Sequence, residues 1–216
     1  TPNLQLETFR VEQRKGSYKW LGAWCKPADY FYPTTKTNIH FDVKPVGDFV
    51  YTIPEYSQGG WNFTADPESN ITYKGETYPY IYWDAAIPNN LITEPTKGYS
   101  IEYSKLSTFL TDLMPKLGLN SKETKHFTDY WTKQLPKSNY YFIGIIPENQ
   151  INSLAPISIT PNPDSILRVS LYFKPIDKHI TVDAPEIKTF NRHGFSVIEW
   201  GGLFDTQKHP GFTCYM

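Results

Sequence analysis

The stretch Ser196-Val197-Ile198-Glu199-Trp200-Gly201-Gly202 sets a carboxylate at the end of an apolar run and follows it with an indole and two glycines. Joined by a second acid, either Asp84 after Tyr80-Ile81-Tyr82-Trp83 or Glu94, it would supply the two carboxyl groups of a glycoside hydrolase, one protonating the leaving oxygen and one attacking or activating water. That chemistry depends on a separation that spacing along a chain does not give. The simpler reading is that Glu199 ends a strand and bonds a neighbouring backbone group or lysine, while Trp200 packs and the two glycines turn the chain. Sugar rings also stack on aromatic faces, and Tyr30-Phe31-Tyr32 with Tyr56 and Trp61 are candidates for such a platform, although aromatics in short strands serve more often in cores and cross-strand pairs. No residue is assigned as catalytic.

Other familiar chemistries lack their signatures. The five histidines, His40, His126, His179, His193 and His209, show no HxH, HxxxH or HExxH spacing, and Cys25 and Cys214 stand far apart without a CxxC pair, so no metal is expected. There is no G-x-S-x-G elbow and no P-loop, and Gly59-Gly60 sits among turn signals instead of opening a helix. No cofactor is implied. A net charge of -1, from 21 Lys+Arg against 22 Asp+Glu, provides no footprint for nucleic acid.

Location is more legible than reaction. The chain opens at Thr1 without an initiator Met and holds only 2 Met, as expected of a secreted protein after removal of a signal segment. No apolar run approaches the roughly 20 residues that span a bilayer. In an oxidising compartment Cys25 and Cys214 can form one bridge closing almost the whole chain, worth at most about 5 kcal/mol in the loop-entropy model; the alternative is two buried thiols. Asn62-Phe63-Thr64 and Asn70-Ile71-Thr72 are N-glycosylation candidates at the edges of one turn, and covalent or bound glycans are possible partners.

These residues must be positioned by strands. Aromatic content of 16%, mostly Tyr and Phe, suits pleated sheets. Short runs broken by Gly and Pro predict strands at 4–13, 18–24, 39–44, 49–53, 61–64, 71–73, 80–83 and 99–103. From Ser104 the period changes: Leu106, Phe109, Leu110, Leu113, Met114 and Leu117 follow helical spacing, with Ser104 as N-cap, Pro115 tightening the last turn and Gly118 as the stop. A second helix starts at Asn120 with Glu123 three residues on, buries Phe127, Tyr130, Trp131 and Leu135, and ends at Pro136. Strands are expected again at 140–146, 157–159, 166–173, 179–182 and 195–200. The predicted fold is β-rich α+β: an antiparallel β-sandwich-like core with a two-helix hairpin inserted at about 104–135. An N-terminal arm, 1–16, precedes a single globular domain, 17–216.

Tyr78-Pro-Tyr-Ile-Tyr-Trp-Asp84, Gly118-Leu-Asn-Ser-Lys-Glu123 with Phe127-Thr-Asp-Tyr-Trp131, Tyr140-Tyr-Phe142, Ile159-Thr-Pro-Asn-Pro-Asp164, Arg168-Val169 and Gly194-Phe-Ser-Val-Ile-Glu-Trp-Gly-Gly202 occur in that order. Together they resemble a family of uncharacterised microbial extracellular or surface proteins over residues 76–202. The resemblance implies no activity, cofactor or catalytic residue. The whole chain also resembles a protomer of extracellular protein fibrils, in which a leading strand completes the next subunit's sheet, a likeness that rests on its N-terminal strand.

The expectation is a secreted, non-enzymatic subunit of an extracellular filament or surface assembly. Leu4, Leu6, Phe9 and Val11 would fill pockets on a second copy of the chain, and a slip in alternation between Thr8 and Phe9 predicts a bulge there. The alternative is a monomeric secreted glycan-binding or glycan-processing domain.

Overall fold

The protein's structure is a computed structural model describing residues 21–88, 91–209, 212 and 214. Leu4, Leu6, Phe9 and Val11 lie outside the described residues, as does the expected bulge near Thr8.

Among the described residues twelve strands form two sheets. In chain order they are β1 (Leu21–Tyr32), β2 (Thr37–Val43), β3 (Asp48–Ile53), β4 (Trp61–Ala65), β5 (Ile71–Tyr73), β6 (Glu76–Tyr78), β7 (Ile81–Pro88), β8 (Gly98–Glu102), β9 (Tyr140–Ile145), β10 (Ile157–Thr160), β11 (Ser165–Ile176) and β12 (Ser196–Phe204). A 7-stranded sheet runs β3-β7-β1-β12-β11-β9-β8, and a 5-stranded sheet runs β10-β2-β4-β5-β6. Pairing is antiparallel except between β11 and β12, which run parallel from Ser165 opposite Ser196 to Phe173 opposite Phe204. A parallel pair needs a long return. Residues 177–195 supply it, bonding the rim of β8 and packing Ile187 and Phe190 against the helical side. The strand expected at 179–182 is part of this irregular return: Ile180 N–H donates to Ser100 Oγ and Asp183 O accepts from Gly98, so its bonds go to β8 without forming a ladder.

The two faces of the larger sheet meet different partners. One packs on the smaller sheet through Phe31, Trp83, Val197 and Leu203 against Phe41, Trp61, Phe63 and Ile71. The other is covered by α1 (Leu106–Leu113) and α2 (Ser121–Gln134), whose Leu110, Phe127 and Trp131 meet Val169, Leu171, Phe173, Ile198 and Trp200. The result is a sandwich with an inserted helical layer. A third helix, α3 (Glu148–Leu154), sets Ile151 and Leu154 into the intersheet core; Pro147 occupies its N-cap position.

The helical hairpin follows its sequence signals closely. Asn120 accepts from Glu123 N–H at 2.9 Å while Glu123 accepts from Asn120 N–H at 2.8 Å, a reciprocal cap. Gly118 takes the left-handed conformation, φ 100°, that ends the short 3-10 turn after Pro115. Ser104 is not the cap of α1: it sits in a 3-10 turn over Tyr103–Lys105 and gives its hydroxyl to Glu102, so the helix starts at Leu106.

Two strand ends move for physical reasons. Pro27 does not stop β1. The register shifts between Cys25 and Ala28, Lys26 takes φ 50°, and the bulge absorbs the residue without an N–H. Nor do Gly201 and Gly202 turn the chain, since both lie inside β12, where a Cβ on Gly202 would overlap Trp131 Cζ2 and stand 3.0 Å from Leu171 O. Cys25 and Cys214 form a disulfide across 189 residues, anchoring the end of the chain beside this bulge.

Candidate functional site

Glu199 lies in the middle of β12, not at a strand end. In register it faces Asp29 of β1 on one side and Arg168 of β11 on the other. Successive residues of a strand point to opposite faces, and this row points between the sheets. Arg168 Nη2 donates to both Glu199 oxygens at 2.9 and 2.7 Å, and its Nη1 reaches Asn152 Oδ1 and Ala155 O in and after α3 at 2.9 and 2.8 Å. Trp83 Nε1 donates to Asp29 Oδ2 at 3.0 Å. Burial raises the Asp29 carboxyl well above its ordinary value, and the neighbouring Glu199 charge adds to this, opposed by Arg168. Burial beside Glu199 thus favours the protonated form of Asp29, whose Oδ1 has no hydrogen-bond partner among the described residues. At 0, 1 and 4% exposure for Asp29, Glu199 and Arg168, no substrate reaches them. The cluster serves to hold β1, β12, β11 and α3 in one arrangement.

The structure does not bring the two sequence-derived acids together. Asp84 follows Trp83 on β7 and so points to the opposite, helical face from Glu199. Glu94 stands on the surface, paired with Lys174 at 2.8 Å. Asp84 Oδ1 accepts from Lys26 N–H at 2.7 Å, and Oδ2 accepts from the Tyr82 hydroxyl. Burial pushes its carboxyl up to about 6, against the downward pull of the Tyr82 and Lys26 hydrogen bonds and the Lys26 charge.

Above Asp84, the left-handed bulge residue Lys26 places its ammonium 5.4, 5.0 and 4.7 Å from the ring centroids of Tyr80, Tyr82 and Tyr130. Cation–π attraction favours this cage. Burial lowers the Lys26 pKa, Asp84 opposes that fall, and Lys133 adds to it. The cage opens into a cleft of about 360 Å³ lined by Lys26, Tyr80, His126, Asp129, Tyr130, Lys133 and Gln134. Tyr30 OH stands 2.8 Å from His126 Nδ1. Burial raises the Tyr30 phenol so far that it stays protonated, and burial followed by the charges of Lys122, Lys26 and Lys125 lowers the imidazole pKa. Neutral His126 thus accepts at Nδ1 and keeps its N–H at Nε2.

The aromatic platform expected at Tyr30-Phe31-Tyr32 with Tyr56 and Trp61 is not a surface. Tyr30, Phe31 and Trp61 are wholly buried, and Tyr56 packs against Phe49 and Trp61. Over α2 Tyr80 is half-exposed, its neighbours Tyr30, Tyr82 and Tyr130 being buried. Asn62 and Asn70 are both exposed, on β4 and just before β5; Asn70 Nδ2 bonds Asp66 Oδ2 at 2.8 Å. Between them Ser69, fully buried, accepts from Phe31 N–H at 2.9 Å, supplying a partner beyond Asp29, where the β7 ladder ends. Among the described residues no group of three or more His, Cys, Asp or Glu side chains is arranged to hold a metal ion, and no helix is long and apolar enough to cross a membrane.

Sequence reasoning missed Asp29, Arg168, Lys26 and His126. A signal existed for Arg168, the single charge in the apolar run Ile166-Leu167-Arg168-Val169-Ser170-Leu171, since a buried guanidinium requires an acid partner. Lys26 gave none, because its placement depends on the bulge.

No family model matches the chain, and no solved structure matches it. Over 61 residues it is 38% identical to an uncharacterized protein in the bglA 3'region of Butyrivibrio fibrisolvens, a match covering 27% of this chain and 64% of that protein. The chain thus spans less than two thirds of that relative's length.

Proposed function

We propose that the chain is a non-catalytic, extracellular structural subunit that polymerises by strand addition, residues 4–13 of one copy extending the larger sheet of the next along β3. The observation that carries this reading is the contrast between that sheet's two rims. The β8 rim is occupied by the 177–195 return, with Gly98 N–H donating to Asp183 O at 2.9 Å. On the β3 rim no described residue bonds the outer backbone, and Val50 and Tyr51 are 52 and 48% exposed, with Val46 just before them at 52%. An exposed apolar edge is a template for another strand. β3 also carries an irregularity between Phe49 and Tyr51, and the slip between Thr8 and Phe9 gives the incoming strand a matching break. The Cys25–Cys214 disulfide and the exposed Asn62 and Asn70 sequons support an oxidising, extracellular setting.

Electron microscopy and sedimentation of three proteins test the proposal: the full chain, the chain lacking residues 1–14, and Val50→Lys, which places a gatekeeping charge on the rim. Filaments from the first and monomers from the other two are expected. Filaments that survive the deletion, or a full chain that stays monomeric at every concentration, overturn strand donation.

A further inference from the structure

The cleft over α2 is built independently of the β3 rim and does not rest on the filament reading. Its walls are two phenol rings that share one cation, Tyr80 at 5.4 Å and Tyr130 at 4.7 Å from the Lys26 ammonium. Tyr80 is only half-buried and is held by neighbouring rings, its centroid 5.2 Å from that of Tyr30 and 5.7 Å from that of His126. A partly exposed ring fixed in this way meets a ligand without the entropic cost of ordering it on binding. Flat apolar faces with polar edges suit the C–H face of a pyranose, whose hydroxyls need donors and acceptors around the rim. The rim provides them: the His126 Nε2–H, the Gln134 amide, the Lys133 ammonium and the Asp129 carboxylate. The volume, about 360 Å³, lies within the range of small-molecule sites.

Charge narrows the class of sugar. Lys26, Lys122 and Lys125 all act on His126, and Lys133 acts on Lys26; against them stand Asp84 beneath Lys26 and, as the one acid among the described residues lining the cleft, Asp129, already paired with Lys125. Lys122 is committed to Glu68 O at 3.0 Å, which leaves the exposed Lys133 as the ammonium at the cleft mouth. Such a surplus of positive charge in a concave site concentrates anions.

The geometry points to this cleft as a binding site for an acidic sugar, a hexuronate whose ring stacks on Tyr80 and whose carboxylate meets Lys133 and the His126 Nε2–H. Binding to the full chain is read by intrinsic fluorescence and calorimetry with D-glucuronate, D-glucose and sodium acetate as probes. Saturable glucuronate binding, about tenfold tighter than either glucose or acetate, is expected from one added charge-assisted contact and one stacked ring. Tyr80→Ala should weaken glucuronate about tenfold, and Lys133→Ala should reduce its advantage over glucose to about twofold, with raised salt removing the same increment. Both side chains reach solvent, so unfolding temperatures close to the parent's verify that each variant is folded. Glucose binding as tightly as glucuronate overturns the acidic preference, acetate binding as tightly overturns the sugar, and absence of saturation, or an unchanged affinity in Tyr80→Ala, overturns the site.

Discussion

Asp29 and Glu199 lie directly opposite each other on β1 and β12, two carboxyl groups sealed between sheets with Arg168 on the far side of one and Trp83 on the far side of the other. One charge there is balanced by the guanidinium; a second would not be. Burial raises Asp29 well above the ordinary 3.8, and that direction has a defined consequence for stability. The contribution from its protonated form is complete below that pH and is lost as pH rises through the folded value. A carboxamide in this place mimics the protonated acid, accepting from Trp83 and donating to Glu199, so Asp29→Asn should stay within about 1 kcal/mol of the parent near neutral pH and flatten the pH dependence. Glu199→Gln leaves the Arg168 charge buried without its counter-ion and should cost about 3 kcal/mol or more. Denaturant unfolding from about pH 4 to 8 measures both, and equal losses in the two variants would refute the raised Asp29 carboxyl.

The outline of this fold was legible because its signals are local. The Asn120/Glu123 cap and the apolar stripe of the hairpin are set by residues a few positions apart, and the structure keeps them. The core strands announced themselves by composition, as at Ile166-Leu-Arg-Val-Ser-Leu-Tyr-Phe173. What stayed hidden depends on tertiary contact. Glycine signals a turn until something must pass close to it, and the Trp131 indole above Gly202 is 71 residues away in sequence. Proline signals a strand end until a bulge takes it in, as at Pro27. The roles of the acids were hidden for the same reason. Asp84 and Glu199 both follow or sit within aromatic strand segments, but their opposite facing is fixed only once β7 and β12 are placed on either side of β1. His126, spaced like any exposed helical residue, acquires its neutral state from Tyr30 on β1 and the lysines around it.

Asp84 provides a second test of what a buried acid does here. One oxygen ties the β1 bulge to β7 by taking the Lys26 N–H at 2.7 Å, and the other takes the hydroxyl of Tyr82 on its own strand. Burial raises its carboxyl to about 6, so its pH-linked contribution is complete below the ordinary 3.8 and is lost as pH rises through about 6. Carboxyl carbon NMR should show a titration near that value that vanishes in Asp84→Asn. Asp84→Ala removes the acceptor of the buried Lys26 N–H at the bulge and should cost about 2 kcal/mol. A titration near the ordinary 3.8 would mean the site is wetter than its burial implies.

Gly202→Ala tests how the helical layer is seated on the sheet. The added methyl overlaps Trp131 Cζ2 and comes within 3.0 Å of Leu171 O and Phe173 Cε2, and only the indole belongs to an element outside the sheet. Trp131 is wholly buried and its ring packs 4.4 Å from Phe173, so it has no vacant space to enter. Overpacking of this kind costs about 1–3 kcal/mol, and because β12 is held by ladders on both sides, the strain should fall on α2. The expected result is a lower unfolding temperature together with increased amide exchange in residues 121–134, while β11 and β12 stay protected. The paired change Gly202→Ala with Trp131→Phe removes part of the obstructing ring and should recover some of the loss, a coupling that a double-mutant cycle reads directly. Strict additivity of the two losses would mean that the helix is not seated through this contact.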